Sequence, residues 1–415
     1  MKVLIIGENA KEQALAAALE RCGNHQVLVL PGNPGTTQFE QSMDDELPRD
    51  YNPENILDTA SQIEPDYIII LDEHLIRAGW KEKLGSRGWK IISPDSNAAH
   101  LIDDKIQWTE IMHNSNIPVA DFRLFDSKED TLSFIQSVDC PIVLKERDGH
   151  KRFAIPYTEE EAEEILDEWF SEGPTRLMVS EFEDGQRFNL PVFVYKERVI
   201  PLLPYLVQRG IYENEDDAQA KGMGAIAPID QIVDPADLQG AIDQILIPFL
   251  KELSKDGVAL TGILSGEFVA TANGPVCVNL KTGLSETGAT AIFPLLETDL
   301  IKAWQALENN QPADLTWSPN RAVSVVLAAH DYPDQESHGA PITIGDDFDA
   351  SLFMNHVKAG ADGYLTDGGR ILIVTGVGKT ITEAADQAFE AVEHIESPDL
   401  FCRSDIGRKP ESKEA

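Results

Sequence analysis

The sequence predicts a multidomain protein of mixed α/β and α+β architecture, on three observations: its length, a strand–helix alternation in its first hundred residues, and a different, hairpin-bearing pattern after them. At 415 residues the chain exceeds what one compact core carries and suits two to four domains. Short apolar runs at 3–6, 27–30, 67–71 and 90–92 alternate with helical patterns at 12–20 and 76–84. Such alternation implies a parallel, doubly wound sheet. Turns follow the strands at Gly7, at Pro31-Gly32-Asn33-Pro34-Gly35-Thr36 and at Ser93-Pro94. They fall on the sheet edge where ligands bind.

A helix over 103–115 leads to Ile117-Pro118, a boundary because the residue before proline avoids helix. From there to 194 the pattern is α+β, with helices at 130–137 and 158–170 and strands at 141–145, 153–156 and 177–182. A further segment, to about 307, carries strands at 198–201, 261–270 and 276–280, the last two joined by a hairpin turning at Asn273-Gly274. After a linker at 310–314, the C-terminal part holds strands at 323–328 and 371–374 and a helix at 382–395. The expected division is 1–102, 103–315 and 316–410, with a disordered tail at 411–415.

Composition removes several function classes. With 71 acidic against 34 basic residues, the net charge of −37 repels phosphate backbones and anionic lipid, which argues against nucleic acid and membrane surfaces as partners. Cys22, Cys140, Cys277 and Cys402 form no CxxC pair, against a zinc site or a disulfide framework. No signal peptide is recognisable, and no apolar run approaches the roughly 20 residues that span a bilayer. The expectation is a cytoplasmic protein, monomer or dimer, acting on small molecules.

The chemistry-bearing signals fit one architecture. Gly376-Val377-Gly378-Lys379-Thr380 imitates a phosphate-binding P-loop but has Ile373 where its first glycine is needed, which favours a plain strand-to-helix turn. Gly7-Glu8-Asn9-Ala10-Lys11-Glu12 lacks the later glycines of a dinucleotide fingerprint. Lys105 opens a helix after Asp103-Asp104, Lys145 ends a strand, and Glu181-Phe182-Glu183-Asp184 follows another strand. Asn279 lies late in the hairpin. Two lysines for phosphate charge, a strand edge for adenine and an Asn-bearing hairpin for magnesium are the components of an ATP-grasp ligase.

The chain resembles the glycinamide ribonucleotide synthetase family over nearly its whole length. The resemblance is carried by Lys2-Val-Leu-Ile-Ile-Gly7, Glu12-x-Ala14-Leu15, Pro31 to Thr36, Gly222-Met-Gly-Ala225, Thr261-Gly262, Asp367 to Thr375 and Phe401 to Gly407, in that order. It implies a Rossmann-like preATP-grasp domain, an ATP-grasp domain with a mobile lid at about 118–194, and a small C-terminal α/β domain. It also implies ATP and Mg2+ as cofactors, and joining of glycine to 5-phosphoribosylamine through an acyl phosphate, in purine biosynthesis. A carboxylate is a poor electrophile until its oxygen becomes a phosphate leaving group. Carried over residue by residue, the resemblance assigns ATP to Lys105, Lys145, Glu181, Phe182 and Asp184. Phosphoribosylamine falls to Gly7, Glu12, Gly32, Asn33, Gly35, Thr36 and Glu73, with the turn N–H groups of 31–36 offered to its phosphate. Lys281 and Glu286 are the catalytic candidates. Glu12 also reads as a capping or solvated helix acid, and Glu73 as a surface acid.

Departures cluster in the nucleotide half. The family's glycine-rich lid becomes Glu146 to Arg152 with only Gly149, leaving Lys151 and Arg152 to meet phosphate. The ribose carboxylate becomes Arg187, a metal carboxylate becomes Cys277, a second acid becomes Leu284, and the arginine near glycine becomes Lys281. Thiol is a poor magnesium ligand. Glu267 on the partner strand is the proposed substitute, binding metal with Asn279. A strict Asn-Gly turn puts it on the other face, whereas a three-residue turn taking in Pro275 puts it on the metal face. A second reading is a paralog without turnover that binds a phosphoribosyl compound or a nucleotide in a regulatory role.

Overall fold

Four of the early apolar runs form one parallel sheet, with strands Gln26–Pro31, Lys2–Gly7, Tyr67–Ile70 and Ile91–Ile92 in that spatial order. Their side chains are buried on both faces, as in a sheet covered by helices on each side. The structure, a computed structural model, describes residues 1–40, 47–48, 50–138, 141–146, 152–156, 158–171, 176–213, 219–345, 348–361 and 363–408. The expected helix over 76–84 is two short helices, Glu73–Arg77 and Trp80–Gly85. They break at Gly79, whose φ of 72° suits glycine alone at little cost.

Residues 122–181 build a separate small sheet, in the order Phe122–Phe125, Leu177–Glu181, Ile142–Glu146, Phe153–Ala154. Helices Lys128–Ile135 and Glu159–Ser171 cover it through Leu144, Leu166, Trp169 and Leu177. Three glutamates in the first turn of Glu159–Ser171 complement the helix dipole. Next comes an antiparallel sheet of Arg198–Pro201, Gln186–Tyr195, Thr261–Thr271 and Gly274–Thr282. Phe188 and Phe268 stack on its buried face, 5.4 Å between ring centres.

The third large sheet runs Leu206–Gly210, Gln219–Ala227, Arg321–Ala329, Arg370–Gly378, Ser351–Met354. It crosses the expected boundary at 315/316, because Gln219–Ala227 pairs with Arg321–Ala329 from Gly224↔Val325 to Ala227↔Ala322. The middle of the chain is thereby hydrogen-bonded into the C-terminal part.

Several elements have no counterpart in the sequence reading. Strand Gln219–Ala227 carries two glycines and Gln186–Tyr195 a polar start, so neither presents a clean apolar run. The run 235–255 is helical, with a π-type turn at Ala241–Leu246 just before Pro248. A proline cannot donate the backbone bond that would close an ordinary turn there. The P-loop imitation is a strand-to-helix turn: Gly376 and Gly378 end the strand Arg370–Gly378, and Thr380 caps Ile381–Val392 by accepting from Glu383 N at 3.1 Å. A side chain at Gly376 would collide with Ala384 of that helix, so close packing explains the glycine. No described helix is long and apolar enough to cross a membrane. Cys22, Cys277 and Cys402 are free thiols; Cys140 and the 411–415 tail lie outside the described residues.

Candidate active site

Asp104 accepts from Gln107 N at 3.1 Å and so caps the helix Lys105–Asn114, setting Lys105 in its first turn. Lys105 Nζ donates to Asn279 Oδ1 at 3.3 Å, and Lys145 arrives beside it on strand Ile142–Glu146. Burial pulls Lys105 down to about 8, although the nearby Glu267 and Cys277 work the other way. Burial also holds Lys145 well below the ordinary lysine range, reinforced by the charges of Lys105 and Arg187.

Glu267 receives Arg209 Nη2 at 2.9 Å and Arg187 Nη1 at 3.4 Å. Burial alone would raise this carboxyl, but Arg209, Arg187, Lys105 and Lys281 together hold it down to about 2. The hairpin explains its position. The turn residues are Ala272 and Asn273, with Thr271 opposite Gly274, one residue earlier than the sequence indicates. An irregularity between Glu267 and Phe268 then leaves Val278 extra, so that Glu267 faces Asn279 directly and Ser265 faces Lys281. The bulge, rather than a longer turn, restores the alignment.

These residues do not fit a divalent metal. Glu267 is engaged by two guanidinium groups, and Asn279 accepts from an ammonium. Cys277 is fully buried opposite Phe268 in an apolar cluster, its thiol pushed up to about 12 by burial. Among the described residues no group of three or more His, Cys, Asp or Glu could hold a metal ion. The expected pairing of Glu267 with Asn279 is therefore present as geometry, while its chemistry is that of a carboxylate anchoring cations.

A second polar cluster gathers at the start of helix Ala10–Gly23. Lys11 Nζ lies 3.1 Å from Asp72 and 3.3 Å from Glu286, and Arg370 Nη2 lies 3.0 Å from the other oxygen of Glu286. Ser285 caps the helix Glu286–Ile292 by accepting from Gly288 N at 3.1 Å, and its hydroxyl meets Tyr205 at the same distance. This fixes Glu286 at a helix N-terminus, where negative charge is favoured. Burial would raise Glu286, but Lys11 and Arg370 hold it far below the usual carboxylate range. Lys11 is itself raised, Glu12, Glu286 and Asp72 outweighing its burial. Glu12 has no solvent exposure; burial pushes it up to about 8. One of its oxygens accepts from Asn9 N at 3.1 Å, and the other has no partner. Gly7 lies so close that a side chain there would strike Glu12.

The loop 31–36 corrects one expectation. Its N–H groups are spent internally: Gly32 on Gly7 O, Asn33 on Thr36 Oγ1, Gly35 on Asn33 Oδ1 and Thr36 on Asn33 O. The Asn33 amide also donates to Met354 O at 2.7 Å, tying the loop to the C-terminal sheet. The loop is thus a strut rather than an open cradle of donors. Glu73 stands partly buried beside the cluster, but its neighbour Asp72 makes the contact to Lys11. At the other end, Glu181 and Asp184 are exposed and Phe182 lies under Arg187, 5.7 Å from its ring centre. Arg152 donates to Trp169 O at 3.0 Å, toward its own helix, and residues 147–151 with Gly149 and Lys151 lie outside the described residues. Arg209, Arg370, Lys11 and Asp72 were missed by the sequence reading. Lys11 and Asp72 adjoin singled-out acids, and Arg370 sits inside a resembling segment, but Arg209 carried no signal.

Three domain models match the chain in order: the phosphoribosylglycinamide synthetase N domain at 1–101, its ATP-grasp (A) domain at 104–286 and its C domain at 322–409. The phosphoribosylamine–glycine ligase of Halalkalibacterium halodurans is 26% identical over 420 residues, covering 99% of this chain and 97% of that one. That of Escherichia coli O157:H7 is 28% identical over 425 residues, covering 98% of each. The crystal structure of phosphoribosylamine–glycine ligase from Thermotoga maritima superposes with a TM-score of 0.81 at 23% identity, over 98% of this chain and 100% of that one. The biotin carboxylase domain of Hydrogenobacter thermophilus 2-oxoglutarate carboxylase, solved with MgADP, shares the fold at a TM-score of 0.66 and 16% identity, over 97% and 91% of the two chains. With all three of its domains present in order, the chain belongs to the phosphoribosylglycinamide synthetase family of ATP-grasp proteins.

Proposed function

We propose that this protein is an ADP-forming ligase that joins glycine to 5-phosphoribosylamine. The observation that carries the reading is end-to-end similarity to phosphoribosylamine–glycine ligases, 98% of this chain against 98% of the Escherichia coli protein. A glycine carboxylate oxygen attacks the γ-phosphorus of ATP and ADP leaves. The amine nitrogen of phosphoribosylamine then attacks the acyl carbon, phosphate leaves, and the nitrogen gives up a proton. Lys105 and Lys281 supply positive charge where phosphoryl charge builds up, and Lys145, held low while the site is empty, gains its proton as the phosphates arrive. The strand end at Glu181 and Phe182, with Asp184, is assigned to the nucleoside.

The cluster of Glu12, Asp72 and Glu286 around Lys11 and Arg370 is assigned to the amine-bearing substrate, whose N–H groups its carboxyl oxygens can accept. In this reading Gly7, Gly32, Asn33, Gly35 and Thr36 shape that pocket, and Glu73 borders it. The three-part division at 102 and 315, a mobile 118–194 segment, a cytoplasmic setting and a monomeric or dimeric state are carried with it. ATP-grasp proteins in general use ATP with Mg2+. Here the protein's own contribution is derived from its cations, since the metal-facing positions do not fit the ion.

The deciding experiment incubates the purified chain with ATP, glycine and freshly generated phosphoribosylamine and measures glycinamide ribonucleotide and ADP in equal amounts. ADP release without product, or product only with another amine or acid, would reject this assignment.

A further inference from the structure

The atoms a divalent cation needs are already bonded, and what they are bonded to is positively charged. We propose that Arg187 and Arg209, clamped by Glu267, take the place of a protein-held divalent cation, so that the phosphate tail of a nucleotide binds this site without magnesium. The proposal rests on the ligase reading for the identity of the anion as a nucleotide.

Three observations support it. The first is geometry: Arg209 and Arg187 meet opposite oxygens of Glu267 at 2.9 and 3.4 Å, and the facing Asn279 is taken by Lys105 at 3.3 Å. An ion bound to Glu267 and Asn279 would share their oxygens with these three contacts and sit within reach of three positive charges, which repel it. Magnesium demands near-octahedral oxygen ligands at about 2.0–2.1 Å and gives up its water reluctantly, so it competes poorly for such atoms.

Charge is the second. Lys281 joins those three cations around the same carboxylate, giving a local positive surplus inside a chain whose net charge is −37. Positive charge concentrated at a buried carboxylate, against so negative a background, is an arrangement that only an anionic ligand completes. The third is the type of cation. A guanidinium offers a planar fork of donors that matches phosphate oxygens and cannot lose its proton, and Glu267 holds two of them in place before any ligand arrives. Both guanidinium groups are accessible, with side-chain exposures of 39% for Arg187 and 31% for Arg209.

Calorimetric titration of the full chain with the non-hydrolysable β,γ-imido analogue of ATP, once in EDTA and once with excess magnesium chloride, tests this. Affinity in EDTA is expected to stay within about threefold of that with magnesium. A loss of about tenfold or more on chelation overturns the inference and leaves the ligase reading standing. No binding under either condition overturns both. The double variant Arg187→Gln, Arg209→Gln should lose about tenfold or more of the metal-free affinity; an unchanged affinity in a folded variant overturns the inference. Should that variant fail to fold, Mn2+ titration of the wild-type chain followed by its paramagnetic resonance decides. The bound population, which surface acids also hold, is expected to be the same in Glu267→Gln as in the wild type, and a loss of one bound ion in Glu267→Gln overturns the proposal.

Discussion

The two polar clusters of this molecule are built on opposite plans. Around Glu267, cations outnumber acids; around Lys11, the acids Glu12, Asp72 and Glu286 outnumber Lys11 and Arg370. The cations on one side complement a polyphosphate, and the carboxyl oxygens on the other can accept from an amine. The clusters also differ in how far each is finished without ligand. Lys11 and Arg370, with side-chain exposures of 5% and 7%, share Glu286 in a closed network. Arg187 and Arg209 are held on Glu267 but remain open to solvent.

The largest expected effect breaks the closed network. Glu286→Ala leaves two buried cations without their shared carboxylate, and removing one partner of a buried ion pair costs about 3–5 kcal/mol. Thermal or urea unfolding should show that loss, together with collapse of ligase activity. A change below about 1 kcal/mol would show that Lys11 and Arg370 find other partners. Glu267→Gln is expected to be milder, about 2 kcal/mol, because its arginines can turn to water. Its more telling readout is nucleotide affinity, which should fall as the guanidinium groups lose their anchor. If stability falls by more in Glu267→Gln than in Glu286→Ala, the contrast between an open and a closed cluster is wrong.

Glu12→Gln sharpens the same contrast through pH. The folded carboxyl titrates at about 8 against an ordinary value of 4.5, so the folded state holds its proton more tightly than the unfolded state. Its contribution to stability is fully present below pH 4.5 and is lost as pH rises from there through about 8. Glutamine keeps an oxygen for Asn9 N and cannot ionise. The variant should therefore match the wild type near the acid end of that range and show a flatter fall toward its alkaline end, read from unfolding midpoints across the range. Parallel curves would mean that Glu12 is ionised at neutral pH.

How much of this was legible follows from what writes itself locally. The first sheet was readable because residues 3–6, 27–30 and 67–70 are unbroken apolar runs, buried on both faces. Lys105, Lys145 and Asn279 were readable because each sits at the end or edge of such an element. The pairs that define the clusters were not. Arg209 is 58 residues from Glu267 and Arg370 is 84 from Glu286, and no spacing rule spans that distance. The turn at Ala272-Asn273 was misplaced by one residue because Asn273-Gly274 is the stronger local signal, and the bulge at Val278 cancelled the consequence. The donors of loop 31–36 were assigned to phosphate because glycine-rich turns advertise free N–H groups, whereas Asn33 and Thr36 consume them.

The smallest effect concerns Cys277, and it separates two explanations of the altered hairpin. If the thiol has taken over a metal ligand's duty, Cys277→Ala should weaken nucleotide binding whenever a divalent ion is present. If it has become part of the core, the substitution removes one buried sulfur beside Phe268 and costs about 1 kcal/mol, with nucleotide affinity unchanged with or without magnesium. The second outcome is expected, since the thiol is fully buried and faces Phe268 within the apolar cluster, where burial pushes it up to about 12. A position that a charged ligand would occupy has moved into the apolar cluster, while the charge has moved across the hairpin to Glu267 and is already matched by arginine. An affinity loss in Cys277→Ala confined to magnesium-containing buffer would reverse that order of events, making the thiol the functional group and the arginines its surroundings.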